Sequence, residues 1–489
     1  MPSAERTRQT APAVGSTWIT VLDILSILLA AGAVLVLITG GFKTTLAGVR
    51  LSVTSPLRLL AWAIALSSIR HIVLPSPTVF ETVRSQAVAL SRVTVWPRSE
   101  ALAAVLPPFL FTRLAVLFVG FFAVFAFGLA HGGTLPPVSE VVAQLMHRWD
   151  AAWYVGIATE GYRFVPGGGQ QNYAFFPLYP MLLRAGALVT GGHFLLSGFA
   201  ISMAAFLGAL LYVYALARVY CRNREAARMA VALLAMYPFA LFFGAVYTES
   251  LFLLCAAGAL YHLLRGEDGR SAAFAFLVGL TRPNGFLLAL PLAVLLAARL
   301  WRGHARLRLH LSSAAPTSRV VPAPWHMGVV AVVAPVAGML SYSAYVYTLT
   351  GDPFAWVSVQ EAWGRHPASP LSIVTGPLSR LSAAGLLGTI AAWPFDTLNA
   401  LGAGLALALL WPVTRRYGLA LGLFVALNLL APLLNGGVMA AGRYTAVLFP
   451  LFFWIADRVP ARQLPYWSMA FGMGQALAAA LFFTWRELF

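Results

Sequence analysis

Apolar residues along this chain come in long blocks, not in short alternations. A helix needs about 20 mostly apolar residues to cross a bilayer. Blocks of that kind run at 18–40, 55–75, 103–130, 195–218, 228–246, 248–264, 326–349, 396–413, 417–434, 442–457 and 466–485. Two further stretches are interrupted. Residues 173–192 carry Pro177, Pro180 and Arg184, and 271–300 break at Thr281-Arg282-Pro283-Asn284-Gly285 into two half-length pieces. Broken helices survive at membrane depth only where they are buried in protein or line a cavity. The pattern predicts an all-α polytopic membrane protein with about 11–13 transmembrane helices. In it, 173–192 dips or packs at the surface, and 271–300 is a hairpin.

Composition narrows the class without changing this picture. Of the 489 residues, 60% are hydrophobic and 10% charged. A soluble domain is nearer a quarter charged, so a water-soluble enzyme and a disordered chain are excluded. The balance of 33 Lys+Arg against 16 Asp+Glu is strongly basic. In a membrane protein that excess belongs to cytoplasmic loops, and no basic stretch has the interleaved aromatics of a nucleic-acid platform. Nucleic acid is therefore not an expected partner, whereas the lipid bilayer is. Lys43 is the single lysine. Arginine takes its place elsewhere, as in a GC-rich genome, and with the short loops this points to a bacterial plasma membrane. Cys221 and Cys255 are too few for a disulfide framework or a metal cluster.

The arginines set the orientation. Arg218, Arg222, Arg224 and Arg228 cluster in one loop, and Arg299, Arg302, Arg306, Arg308 and Arg319 in another. Arg415-Arg416 and Arg458 with Arg462 mark two more. With these on the cytoplasmic side, segments 131–172, 350–371 and 435–441 lie outside. The first is the longest and ends in Gly167-Gly168-Gly169. Val138, Val141, Val142 and Leu145 give it an amphipathic helix on the membrane surface.

The outer segments hold the residues with chemical potential. His147-Arg148-Trp149-Asp150 is followed by Trp153-Tyr154, Glu160 and Gly161-Tyr162. A carboxylate at the membrane boundary can act as a general base. The plainer reading is a carboxylate paired with Arg148 among belt tryptophans. Asn172 to Pro180, with Phe176 and Tyr179, reads alone as an aromatic belt. Glu249, in Tyr247-Thr248-Glu249-Ser250, is an acid at a helix start within an apolar region, and such acids are functional candidates. Arg282, next to Asn284, is a costly charge in an apolar stretch and calls for an anion. Gly351-Asp352-Pro353 precedes Gln360-Glu361-Ala362-Trp363-Gly364-Arg365, and Gly442-Arg443-Tyr444 heads another apolar block. Guanidinium binds phosphate bidentately and stays charged, so Arg282, Arg365 and Arg443 can converge on one phosphate. No Walker loop, GxGxxG or GxSxG stands in a sensible context.

Taken in order, these pieces resemble the PIG-V family, the GPI second-mannose transferases, and their prokaryotic relatives. The matching residues are His147 to Tyr154, Ile157-Ala158, Gly161-Tyr162, Ala174 to Pro180, Tyr247 to Phe252, Arg282 with Asn284-Gly285, Gly351 to Pro353, and Gly442 to Tyr444. The resemblance implies a C-type glycosyltransferase (GT-C) fold with a large first outer loop. It implies a polyprenyl-phosphate sugar donor, an active site on the non-cytoplasmic face, and Asp150 as the catalytic carboxylate with Glu249 a helper. Mannose would move with inversion, which needs one base and no covalent intermediate. Arg282, Arg365 and Arg443 would hold the donor phosphate. His147, Arg148, Trp149, Trp153, Tyr162, Phe176, Tyr179, Tyr247, Asn284, Gln360, Trp363 and Tyr444 would line the substrate. No cofactor is expected, although related folds use a divalent cation. The acceptor is a glycolipid, a glycan or a protein hydroxyl. The expected organisation is 1–100 as N-terminal transmembrane helices, 101–465 as the catalytic membrane module with outer loop 131–172, and 466–489 as a last transmembrane helix.

Two other readings stay open on sequence. Broken helices and intramembrane arginines also suit a transporter or flippase of a lipid-linked substrate, although no internal repeat is present. A non-catalytic partner in a membrane glycosylation complex would tolerate Asp150→Asn.

Overall fold

The computed structural model describes residues 42–46, 49–53, 55–73, 98–132, 137–312 and 325–486, apart from 368 and 370, with six residues between 22 and 33. The expected first membrane helix, 18–40, lies mostly outside the described residues. So do the side chains of Arg302, Arg306, Arg308 and Arg319. The chain divides into two compact units, Met1–Thr94 and Val95–Phe489.

The first unit departs from the all-helical expectation. Strands β1 (Phe42–Leu46) and β2 (Val49–Val53) form an antiparallel hairpin, with Phe42 opposite Val53 and Leu46 opposite Val49. The run is rich in Thr and Val, which favour strands over helices. Helix α1 (Pro56–Val73) follows.

The second unit is helical. Its first members are α2 (Arg98–Phe127), α3 (Val138–Gln144), α4 (Ala151–Glu160), α5 (Leu178–Val189), α6 (Phe194–Tyr220), α7 (Arg224–Met236) and α8 (Glu249–Leu264). Then come α9 (Asp268–Gly279), α10 (Ala289–Ser312), α11 (Trp325–Thr350), α12 (Ser372–Ala392), α13 (Pro394–Tyr417), α14 (Leu419–Gly436), α15 (Ala441–Ala446), α16 (Phe449–Arg458) and α17 (Leu464–Phe483). Among the described residues six segments are long and apolar enough to cross a membrane: Glu100–Phe127, Phe194–Tyr220, Pro283–Trp301, His326–Thr350, Pro394–Tyr417 and Leu419–Gly436. These are the helices of an integral membrane protein.

This count covers the described residues alone and is below the expected 11–13, and three of the expected blocks are not single long helices. Apolar length alone cannot see where a helix breaks. Block 228–246 is α7 plus a 3-10 turn, Pro238–Gly244, bent by 78°. Block 442–457 divides into α15 and α16, and α8 has only 16 residues. The hairpin expected at 271–300 is also corrected. Its first piece, α9, is short, but the second, led by the turn Pro283–Leu288, is long enough to cross. Helix α12, kinked at Gly385, was not anticipated.

Helix α8 is the centre of this unit. Nearly every residue from Glu249 to Leu263 is buried, as expected of a helix that is apolar on all sides. Helix α6 runs beside it in the same direction. Ser202 donates to the Ala245 carbonyl at 2.7 Å near the start of α8, and Tyr212 meets His262 at 2.9 Å near its end. Helices α9 and α11 touch backbone to backbone. A Cβ on Gly279 would stand 2.0 Å from the Pro335 carbonyl oxygen, and one on Gly338 2.3 Å from that of Phe276. Small residues at such crossings are the membrane solution to close packing.

The 78° bend would strand carbonyls in an apolar interior, and buried side chains meet them. Gln475 donates to the carbonyls of Ala235 and Tyr237 at 2.9 and 3.0 Å. Arg113 donates to those of Ala240 and Ala235 at 2.8 and 3.4 Å. Ser250 takes the Phe243 carbonyl at 2.7 Å. Polar groups this deep are expensive unless bonded. The bend therefore persists because α2, α8 and α17 each supply a donor, and it delivers Tyr247, Thr248 and Glu249 to one place.

Polar side chains gather at both ends of α8, about 24 Å apart at 1.5 Å per residue. At its C-terminal end Glu267 binds His262 at 2.6 Å, Arg265 at 3.1 Å and Arg270 at 2.9 Å. Arg299 grips Asp268 through two bonds of 2.5 and 2.7 Å. Glu100 holds Arg218 at 2.8 Å, and Asp457 accepts from Tyr417 and from the Arg222 amide. The N-terminal end of α8 carries a different arrangement.

Candidate active site

Asp150 caps α4, Glu249 opens α8, and Arg443 lies in the short α15. Arg443 joins the two acids. Its Nη1 donates to Asp150 Oδ2 at 2.5 Å, and its Nε donates to Glu249 Oε1. Arg282 Nη2 reaches the same Glu249 oxygen at 3.0 Å and the Thr248 hydroxyl at 3.2 Å. The result is a chain of alternating charge: Asp150, Arg443, Glu249, Arg282.

Each member is held from behind. Tyr247 OH accepts from the Asp150 amide at 3.1 Å and donates to the Arg148 carbonyl at 3.3 Å. The Arg443 guanidinium lies 4.5 Å over the Tyr247 ring. Asn399 receives the Gly442 amide at 2.8 Å, and Tyr237 meets Thr445 at 2.7 Å, so α15 is fixed on both sides of Arg443. The Arg282 guanidinium sits 4.6 Å over Phe252 and 5.8 Å over Tyr444. Arg365 donates to Tyr444 OH at 2.8 Å and lies 5.6 Å over that ring.

Exposure separates the two acids. Glu249 is fully buried, while the Asp150 side chain is 20% exposed. Buried atoms without a partner include Glu249 Oε2 and Arg282 Nε and Nη1. Native proteins rarely leave buried donors unpaired, and Arg282 leaves two. Three guanidinium charges (Arg282, Arg365, Arg443) against two carboxylates (Asp150, Glu249) leave one positive charge over. Guanidinium in excess of carboxylate is chemistry that can receive an anion.

The other expected site residues divide into groups. Trp153, Trp363 and Phe175 form a half-buried trio. Trp153 stacks on Phe175 at 5.6 Å, and Trp363 meets Trp153 and Phe175 edge-on at 5.7 and 5.8 Å. His147 lies half-buried before Asp150, where burial and the neighbouring Arg148 push its imidazole below the usual range. Gln360 donates to the Trp356 carbonyl at 3.3 Å, and Asn284 donates to Asn428 at 2.9 Å.

Four residues expected against substrate serve the framework instead. Phe176 is buried against Tyr342 and Trp356, and buried Tyr179 bonds the Gly198 carbonyl and Ser202. Neither offers a face to a ligand. Tyr162 donates to the Phe175 carbonyl at 2.8 Å and packs on Tyr342 and Tyr345. Arg148 spends its donors on the carbonyls of Phe483, Gln144 and His147. Thr248 and Tyr154 stand in the sequence motifs without an assigned role, and Asn399 stands in none of them. Tyr154 packs edge-on to Tyr179 and Tyr247 at 5.3 and 6.2 Å. A signal existed for Asn399, a lone amide in an apolar run. Among the described residues no group of three or more His, Cys, Asp and Glu is arranged so that it could hold a metal ion.

Residues 136–314 match the family described as Mannosyltransferase (PIG-V). Over that segment the chain is similar to the PIG-V mannosyltransferases. The matched segment takes in Asp150, Glu249 and Arg282, whereas Arg365 and Arg443 lie beyond it. GPI alpha-1,6-mannosyltransferase 2 of Rattus norvegicus is 28% identical over 170 residues, which are 32% of this chain and 33% of that protein. The Homo sapiens protein of the same name is 28% identical over 169 residues, with the same coverage. The chain thus spans about a third of the length of these relatives. Two solved structures of Archaeoglobus fulgidus oligosaccharyltransferase also match at 14% identity. One, with Zn and sulfate, has a TM-score of 0.36 over 76% of this chain and 53% of that chain. The other, with an inhibitory peptide and a dolichol-phosphate, has a TM-score of 0.35 over 77% and 56%. At those TM-scores the likeness carries no weight.

Proposed function

We propose that this protein is an inverting glycosyltransferase of GT-C type. It moves a sugar, mannose by family likeness, from a polyprenyl-phosphate donor to an acceptor hydroxyl. The reaction takes place at the non-cytoplasmic face of a bacterial plasma membrane, within the module 101–465. The observation that carries this reading is the Asp150–Arg443–Glu249–Arg282 chain, with Arg282 donors unpaired beside it.

Each residue has a task that fits its place. The donor phosphate sits against Arg282, with Arg365 and the Tyr444 hydroxyl close by. As the bond from the anomeric carbon to the phosphate oxygen breaks, negative charge grows on the leaving phosphate. Preplaced guanidinium offsets it most effectively in a dry site. The acceptor oxygen attacks the opposite face of the anomeric carbon, and Asp150 takes its proton. Asp150 suits that task because it is the accessible acid and only its Oδ2 is engaged by Arg443. Glu249 is too deep to meet a hydroxyl, and its place suits holding Arg443 and Arg282. Trp153 and Trp363 offer ring faces for a sugar.

The test is transfer by purified protein given radiolabelled polyprenyl-phosphate mannose and native membrane lipid extract. Label should move into a new product with wild type, and fall by about 10²–10⁴-fold with Asp150→Asn. Full transfer by that variant would remove Asp150 as the base.

A further inference from the structure

Helix α17 ends at Phe483 with Thr484 as its cap. Trp485 follows with φ of 59°, in the left-handed region. Its amide donates to the Phe482 carbonyl at 3.3 Å, and the Arg486 amide donates to that of Leu481 at 3.0 Å. These two bonds are the Schellman ending of a helix. Its left-handed position ordinarily goes to glycine, because any side chain there is strained. Strain of this kind persists where the surroundings use the residue.

The use is visible. The Trp485 ring lies 5.1 Å from that of Trp149, tilted by 53°. Trp149 is itself left-handed, with φ of 52°, and immediately precedes Asp150. The Arg148 guanidinium sits 5.4 Å over the Trp485 ring, and its Nε donates to the Phe483 carbonyl at 2.9 Å. Among the described residues the third non-glycine with positive φ is Ala440, which caps the helix carrying Arg443. Strained backbone therefore flanks both partners of the Asp150–Arg443 pair.

We infer that Trp485 is a positioning residue: with Trp149 and Arg148 it clasps the end of α17 to segment 147–150 and sets the Asp150 carboxylate against Arg443. The activity part of this inference rests on the proposed transfer reaction, whereas the clasp itself does not.

The informative variant is Trp485→Gly in the full chain, because glycine suits the backbone and keeps the helix ending while removing the ring. Turnover should fall by about 10- to 100-fold, as expected for a small misplacement of a reacting group. The donor KM should stay within about twofold, and the melting temperature should stay close to wild type. Hydrogen exchange should quicken at amides 147–154 and not along α17. Trp485→Phe, which keeps a ring, should recover most of the turnover. Wild-type turnover with unchanged exchange in Trp485→Gly would overturn the clasp. If the glycine variant does not fold, Trp485→Phe and Trp485→Leu carry the test: a loss confined to leucine supports it, and equal turnover overturns it. If wild type transfers no sugar, the proposed reaction has failed. Exchange at 147–154 then still decides the clasp, quickening for it and no change against it.

Discussion

Asp150 and Glu249, far apart in the chain, share one guanidinium, because Arg443 donates to both. Removing that guanidinium leaves Glu249 with Arg282 alone and Asp150 without its partner. Arg443→Met should abolish transfer and cost about 3–5 kcal/mol of stability, the usual penalty for breaking a buried pair. Combining it with Glu249→Gln should restore much of the stability and none of the activity. Unfolding in detergent and the transfer assay read the two effects separately. A stable, inactive Arg443→Met single variant would argue against the charge chain as a folding element.

Arg282 presents two unpartnered donors in a fixed fork, which lysine cannot reproduce. Arg282→Lys should keep the fold and raise the donor KM by about 10- to 100-fold, equivalent to one or two charged hydrogen bonds. Initial rates against donor concentration measure this. An unchanged KM would move the phosphate away from Arg282.

Arg113 and Gln475 are buried polar side chains that bond the carbonyls around the bend after α7. Arg113→Met and Gln475→Leu should each destabilise by about 1–3 kcal/mol, the cost of leaving buried carbonyls unbonded. The double variant should fall short of the sum, because both side chains reach the Ala235 carbonyl. Additive losses would mean that the two act independently.

Glu267 gives a pH signature far from the reacting groups. Burial pushes its carboxyl up, but His262 and Arg265 outweigh that and bring it from an ordinary 4.5 down to about 2. A carboxyl lowered in the folded state contributes stability that is complete above 4.5 and is lost as pH falls toward 2. Wild type should exceed Glu267→Gln by on the order of 2–3 kcal/mol at neutral pH. The gap should close across that acid window. Thermal unfolding from pH 2 to 7 checks it, and a gap independent of pH would assign the effect to packing.

Gly279 and Gly338 meet where α9 crosses α11. Gly338→Ala should cost about 1–3 kcal/mol as an overpacked contact, read by thermal unfolding. A neutral result would mean that the helices can part without loss.

The chain's own order of residues determined the class. Blocks of apolar residues this long can be satisfied only by helices in a bilayer, and the motifs at Asp150, Glu249, Arg282 and Arg443 named four side chains that the fold brings together. Their types were legible because charge in an apolar stretch is costly and needs a reason. Tertiary structure decided the rest. It decided which helices are continuous, because a break depends on donors such as Arg113 and Gln475 arriving from distant segments. It separated Phe176, Tyr179, Tyr162 and Arg148, which hold the framework, from Trp153 and Trp363, since an aromatic or an arginine has the same symbol in a core as in a cleft. It also set the pairing of Asp150 with Arg443, because a hydrogen bond between residues so far apart exists only after α4, α8 and α15 have been packed together.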